Sequence, residues 1–182
     1  MKRGKLLFIT GGARSGKSHF AEEIAAKTGK EVVYIATAQA GDEEMKRRIK
    51  KHQERRPGNW KTFEEPNNVK KLVKEIGFED IVILIDCLTL LVSNHLLCNE
   101  NIIGEDVLER KVLQEIDRLA IIAVQSRAEV IIVSNEVGMG LVPDKKIGRF
   151  YRDILGKANN LIAQKADKVF FMLSGIPIKV KG

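Results

Sequence analysis

Residues 11–18 read Gly11-Gly12-Ala13-Arg14-Ser15-Gly16-Lys17-Ser18, a G-x-x-x-x-G-K-S octet. An apolar run, Leu6-Leu7-Phe8-Ile9, leads into it, and a helical pattern, His19-Phe20-Ala21-Glu22-Glu23-Ile24-Ala25, leads out. Strand, loop and helix in that order are the context in which this octet wraps a nucleotide phosphate. Gly11, Gly12 and Gly16 allow the backbone to turn its N–H groups inward around phosphate oxygens. The helix N-terminus behind the loop adds partial positive charge. Lys17 has the length to reach the β- and γ-phosphates, and the Ser18 hydroxyl is the expected Mg²⁺ ligand.

The rest of the chain alternates strand and helix. Short β-branched runs at Leu6–Ile9, Val32–Ala36, Ile81–Ile85, Val130–Ser134 and Val169–Leu173 predict strands buried on both faces. Ile178-Lys179-Val180 follows Ser174-Gly175-Ile176-Pro177 and predicts an antiparallel edge strand after a tight turn. Helical spacing marks residues 69–76, 105–127 and 144–166, and the apolar stretch 88–98 is taken as a helix. The expectation is an α/β fold with a doubly wound, mostly parallel sheet, as one nucleotide-binding domain over residues 1–182.

Composition narrows the function classes only slightly. With 44% hydrophobic and 30% charged residues, the 182-residue chain can build a core and is not of disordered type. No apolar run approaches the roughly 20 residues of a membrane span, and the run after the basic N-terminus is too short for a signal peptide. A cytoplasmic location is expected. Cys87 and Cys98 lack metal-ligand spacing and are expected as reduced, mostly buried thiols. The net charge of +7 suits a polyphosphate ligand as well as a nucleic acid. The most basic stretch lacks the interleaved aromatics of a nucleic-acid surface, so no nucleic-acid partner is expected.

Two further elements carry chemistry. Ile81-Val82-Ile83-Leu84-Ile85-Asp86 ends an aliphatic strand in an acid, the form of the Mg²⁺-associated carboxylate in phosphate-loop folds. Asp86 as a mere cap on the next helix is the alternative. Residues 42–57 run from acidic to basic and stop at Pro57, which suits a helix and its dipole. At 100° per residue His52 shares the stripe of Met45 and Ile49, so it reads either as an interfacial residue or as a group acting near neutral pH. Trp60, the only tryptophan, reads as core or interface. Ala36-Thr37-Ala38 follows the second strand at the edge where such sheets bind ligands. Residues 135–143, with two glycines and a proline around Met139, read as a shaped loop over the site or as a plain connector.

Several segments together are more specific than the octet: T-G-G-A-R-S-G-K-S at 10–18, Y-I-A-T-A at 34–38 and D-E-E-M-K-R-R-I-K-K-H-Q-E-R-R-P at 42–57. W-K-T-F-E at 60–64, D-C-L-T at 86–89, S-N-E-V-G-M-G-L-V-P at 134–143 and L-S-G-I-P at 173–177 complete the set. In these segments the chain resembles the bifunctional adenosylcobinamide kinase/adenosylcobinamide-phosphate guanylyltransferases of cobalamin biosynthesis. The resemblance implies a RecA-like P-loop sheet and a homotrimer. It implies phosphorylation of the adenosylcobinamide hydroxyl by ATP or GTP, then GMP transfer from GTP through a GMP-histidine intermediate, with Mg²⁺. The family's nucleophile falls on His52. Its nucleotide contacts fall on the octet and on Ala36, Thr37, Ala38, Gln53, Glu54, Arg55, Arg56, Glu64 and Asp86. Some relatives carry two adjacent histidines in this helix; here the first position is Lys51, which leaves His52.

A carboxylate such as Glu64 can accept hydrogen bonds from guanine N1–H and the N2 amine, which favours GTP. The competing readings are a monofunctional P-loop small-molecule kinase, which needs no histidine nucleophile, and a nucleotide-dependent switch or nucleic-acid-stimulated ATPase. The N-K-x-D string with which a GTPase switch reads guanine is absent from the sequence.

Overall fold

The computed structural model describes residues 3–39, 41, 43–55, 57–98 and 104–182; at 44, 45, 48, 51, 52 and 55 it describes the helical backbone and not the side chain. In chain order the elements are β1 (Leu6–Gly11), α1 (Lys17–Lys27), β2 (Val32–Ala36), α2 (Glu43–Arg55), β3 (Lys61–Glu64), α3 (Val69–Ile76) and β4 (Val82–Asp86). There follow α4 (Leu88–Leu97), α5 (Glu105–Gln125), β5 (Glu129–Val133), α6 (Lys146–Lys165), β6 (Lys168–Leu173) and β7 (Ile176–Lys181).

The strands form one seven-stranded sheet in the order β3-β2-β4-β5-β1-β6-β7. All neighbours are parallel except β6 and β7. The expected mostly parallel sheet with an antiparallel C-terminal edge is therefore observed, with β5 between the phosphate-loop strand and the strand that ends in Asp86.

The continuous apolar runs of β1, β2, β4 and β5 follow from burial on both faces, whereas β6, expected to be buried too, is half-exposed beside the edge strand β7 and ends in the exposed Leu173. Alternate residues of β1 serve opposite cores: Leu6 and Phe8 join one cluster, Leu7 and Ile9 the other. The first cluster takes the apolar stripes of α3, α4, α5 and α6. The second takes α1, through Ala21 and Ala25, whose small side chains let the helix lie close to the sheet. Trp60 packs half-buried against this second core, as expected.

Two expectations need correction. The strand β3 was not anticipated: its residues Lys61-Thr62-Phe63-Glu64 are all exposed, so no hydrophobic pattern marks it. Backbone pairing to β2 makes it a strand. Cys98 is exposed rather than buried. It caps the C-terminus of α4, where the helix leaves the core and Leu97 is exposed too.

Gly4, just before β1, marks the tightest backbone approach. Its N–H donates to the Ser126 carbonyl at 2.8 Å, and a Cβ there would stand 1.8 Å from the Ala128 carbonyl oxygen. Gly58 has open space around the same position. Gly4→Ala should therefore cost more than about 2 kcal/mol in urea unfolding, and Gly58→Ala less than about 0.5 kcal/mol. Equal midpoints for the two variants would contradict this packing.

Candidate active site

The site is built on the carboxyl edge of the sheet. Gly11 ends β1 with φ 150°, and a Cβ there would meet the Met172 carbonyl oxygen of β6 at 2.5 Å. Gly16 (φ 91°) and Arg14 (φ 56°) take the left-handed conformation that curls the chain into α1. Gly12 differs: a Cβ would meet nothing within 4 Å, so any need for glycine there comes from what enters the loop.

Two neighbouring loops brace the curl. The Glu136 N–H donates to the Gly11 carbonyl at 2.9 Å, and the Gly175 N–H donates to the Ser15 carbonyl at 3.1 Å. The Ser15 side-chain oxygen is buried and has no hydrogen-bond partner among the described residues. The Lys17 ammonium folds back over the loop and donates to the Gly12 carbonyl at 2.5 Å. Burial lowers its pKa, and the nearby Asp86 charge opposes that shift.

The ladder register lines up the other acids. Glu64 of β3 pairs with Ala36 of β2, Ala36 with Asp86 of β4, Asp86 with Val133 of β5, and Val133 with Ile9 of β1. Along one edge, then, stand Glu64, Asp86 and, two residues past Ile9, the phosphate loop. Four strand spacings separate β3 from β1, about 19 Å. Asp86 is half-buried, and one of its oxygens accepts the Tyr34 hydroxyl at 2.7 Å. It does not cap α4, whose N-cap is Cys87. The Cys87 thiol is pushed up to about 12 by burial and by Asp86, so it is inert as a nucleophile at neutral pH.

Thr37 is fully buried, and its hydroxyl is already engaged. It donates to the Cys87 carbonyl and accepts from the Cys87 N–H, both at 2.8 Å. It thereby ties β2 to the turn after Asp86, and the adjacent Ala38 is only half-buried. Asn94 of α4 continues this tie by donating to the Thr37 and Pro66 carbonyls at 2.9 Å. A second buried network holds the loop after β5. Ser134 donates to the Asn159 side-chain oxygen at 2.7 Å, so Thr89 is the donor in its 3.3 Å contact with Ser134. Asn135 N–H donates to Thr89 Oγ1 at 2.7 Å, and Asn159 Nδ2 to the Asn135 carbonyl at 3.0 Å. Sequence reasoning missed Tyr34, Asn94, Ser134, Asn159 and the supporting role of Thr89. Only polar residues at otherwise apolar positions hinted at them.

Helix α2 carries the sequence-predicted nucleophile. Its backbone includes His52, but the His52 and Arg55 side chains, and Arg56 altogether, lie outside what is described. Gln53 and Glu54 are exposed, as are the basic residues Lys46, Arg47 and Lys50. Gln53 Nε2 donates to Glu64 Oε1 at 3.4 Å, which brings two predicted nucleotide contacts together. Ala13 and Arg14 are exposed on the loop, and Ser18 is half-buried at the start of α1.

Because the folded pKa of Lys17 lies below its unfolded value, the charged ammonium opposes folding at neutral pH. That penalty is relieved as pH rises from the folded toward the unfolded pKa. Lys17→Met should therefore melt no lower than the wild type without ligand. MgGTP at about 100 times Kd should stabilise the wild type by about 2.7 kcal/mol and leave the variant unmoved. A variant that keeps the ligand shift would remove Lys17 from the phosphate site.

Comparison with known proteins bears on the chain as a whole. The profile of the cobinamide kinase / cobinamide phosphate guanyltransferase family matches residues 7–180. The bifunctional adenosylcobalamin biosynthesis protein CobP of Pseudomonas aeruginosa is 42% identical over 96% of this chain and 96% of its own. The bifunctional adenosylcobalamin biosynthesis protein CobU of Salmonella typhimurium is 38% identical over 97% of this chain and 99% of its own. Among solved structures, the flagellar accessory protein FlaH of Methanocaldococcus jannaschii superposes with a TM-score of 0.49 at 18% identity, over 100% of this chain and 80% of that one. Among the described residues no helix is long and apolar enough to cross a membrane. With a profile match over nearly the whole chain and relatives of this identity, the protein belongs to the cobinamide kinase / cobinamide phosphate guanyltransferase family.

Proposed function

We propose that one domain, residues 1–182, carries out both family reactions at the carboxyl edge of the sheet, with His52 as the carrier of GMP. The observation that supports this best is the Gln53–Glu64 contact, which ties the His52 helix to the acid in register with Asp86. In the first reaction the adenosylcobinamide hydroxyl attacks the γ-phosphorus of ATP or GTP and the nucleoside diphosphate leaves. Lys17 and the loop N–H groups spread the developing charge. The unpartnered Ser15 hydroxyl gives the loop one more donor for a phosphate oxygen.

In the second reaction the neutral His52 imidazole attacks the α-phosphorus of GTP. The bond to pyrophosphate breaks, and a phosphoramidate forms. An oxygen of adenosylcobinamide phosphate then attacks the same phosphorus, the P–N bond breaks, and adenosylcobinamide-GDP is released. In this reading Arg55 and Arg56 contact the triphosphate, Glu54 contacts the nucleotide, and Glu64 accepts the guanine donors.

The residues also fit Mg²⁺. A hydroxyl from Ser18 and a carboxylate from Asp86 form the hard oxygen set this ion prefers, with phosphates and water completing it. When bound, Mg²⁺ neutralises phosphate charge. Asp86 is held for that task by Tyr34. The homotrimer and the cytoplasmic location implied by the family resemblance complete the proposal.

Separating the two reactions tests it. His52→Ala should abolish GMP transfer and keep most phosphorylation of cobinamide. Glu64→Gln should lose about 1–3 kcal/mol of GTP-over-ATP discrimination in guanylylation. Equal loss of both reactions in His52→Ala, or an unchanged preference in Glu64→Gln, would contradict these roles.

A further inference from the structure

The acceptor hydroxyl must come within reach of a γ-phosphate seated in the loop at 11–18, so the body that carries it must rest on the adjoining surface. Two segments adjoin that loop through backbone hydrogen bonds, Glu136 to Gly11 and Gly175 to Ser15. Both present large apolar side chains to solvent. Met139, Leu141 and Val142 are 79%, 96% and 62% exposed, and Leu173 and Ile176 are 55% and 65% exposed. Successive Cα atoms are 3.8 Å apart, so Met139 lies within about 11 Å of Glu136, and Leu173 and Ile176 within about 8 Å of Gly175.

The segment after β5 is held in place. The Gly138 N–H donates to Glu136 Oε1 at 2.5 Å, and Arg149 Nη1 donates to the Pro143 and Asp144 carbonyls at 3.0 and 2.6 Å. Val137 packs into the core, so the apolar tips are displayed from an anchored base.

The geometry points to this apolar collar, Met139, Leu141 and Val142 on one side and Leu173 and Ile176 on the other, as the docking surface for the corrin macrocycle. The inference rests on the proposed function. A corrinoid is broad, with methyl-rich faces and neutral amide arms. It asks for apolar area beside the phosphates rather than for charge. Exposed apolar patches of this kind mark interaction sites, and a methionine suits an irregular, bulky ligand.

The test compares Met139→Ser/Leu141→Ser with Met139→Leu/Leu141→Met and with Val180→Ser, an exposed β7 position at the far end of that strand. Phosphorylation of cobinamide gives KM for each substrate, equilibrium dialysis gives corrinoid binding, and light scattering gives the mass of the particle. The serine pair should raise the corrinoid KM and Kd about tenfold or more, with the ATP KM and the mass unchanged. The conservative pair and Val180→Ser should behave as wild type. An unchanged corrinoid KM in the serine pair overturns the inference. A changed mass does too, because the surface then belongs to contacts between copies. A wild-type protein that binds MgATP but does not phosphorylate cobinamide overturns the functional reading, and the inference with it.

Discussion

The Lys17 ammonium is buried against the Gly12 carbonyl at the end of β1, where desolvation depresses its pKa. Taking a cation out of water is unfavourable, so the surroundings must hold the loop firmly enough to keep it there. They do so from three sides. The double-sided burial of β1 fixes where the loop begins, with the Met172 carbonyl so close to Gly11 that no side chain fits. Small residues on α1 seat the helix that ends the loop. Glu136 and Gly175 clamp the turn from neighbouring connections. The Ser15 hydroxyl, buried in the same turn, has no hydrogen-bond partner among the described residues.

The same edge logic explains how distant residues share one site. Parallel strands all end on one side, so residues far apart in the chain meet there by register alone. Asp86 and Glu64 are separated by one strand, and that strand supplies Ala36 and Thr37. Beneath this row the polar networks around Thr37 and Thr89 fix the connections after β2, β4 and β5. Helix α2 touches this row through Gln53, which donates to Glu64.

What could be read from the sequence follows from how local each signal is. The octet, the buried parallel strands and Asp86 rest on a few consecutive residues, and each stands where the sequence places it. Strand β3 was illegible because an exposed edge segment has no apolar pattern, although Glu64 within it was singled out through family resemblance. Burial of Cys98 was misjudged because composition does not reveal where α4 leaves the core. The ties from Thr37 to Cys87 and from Ser134 to Asn159 join residues 50 and 25 positions apart. Such pairings depend on the tertiary fold, and neither residue looks special in its own segment.

The central claim is that GMP passes through this chain on His52. The most direct measurement is the mass of the protein and of its proteolytic fragments after MgGTP is added without any corrinoid. The account predicts one GMP per chain, on the fragment holding His52, lost in acid and stable in base. No adduct at all, or an adduct on another residue, would contradict it.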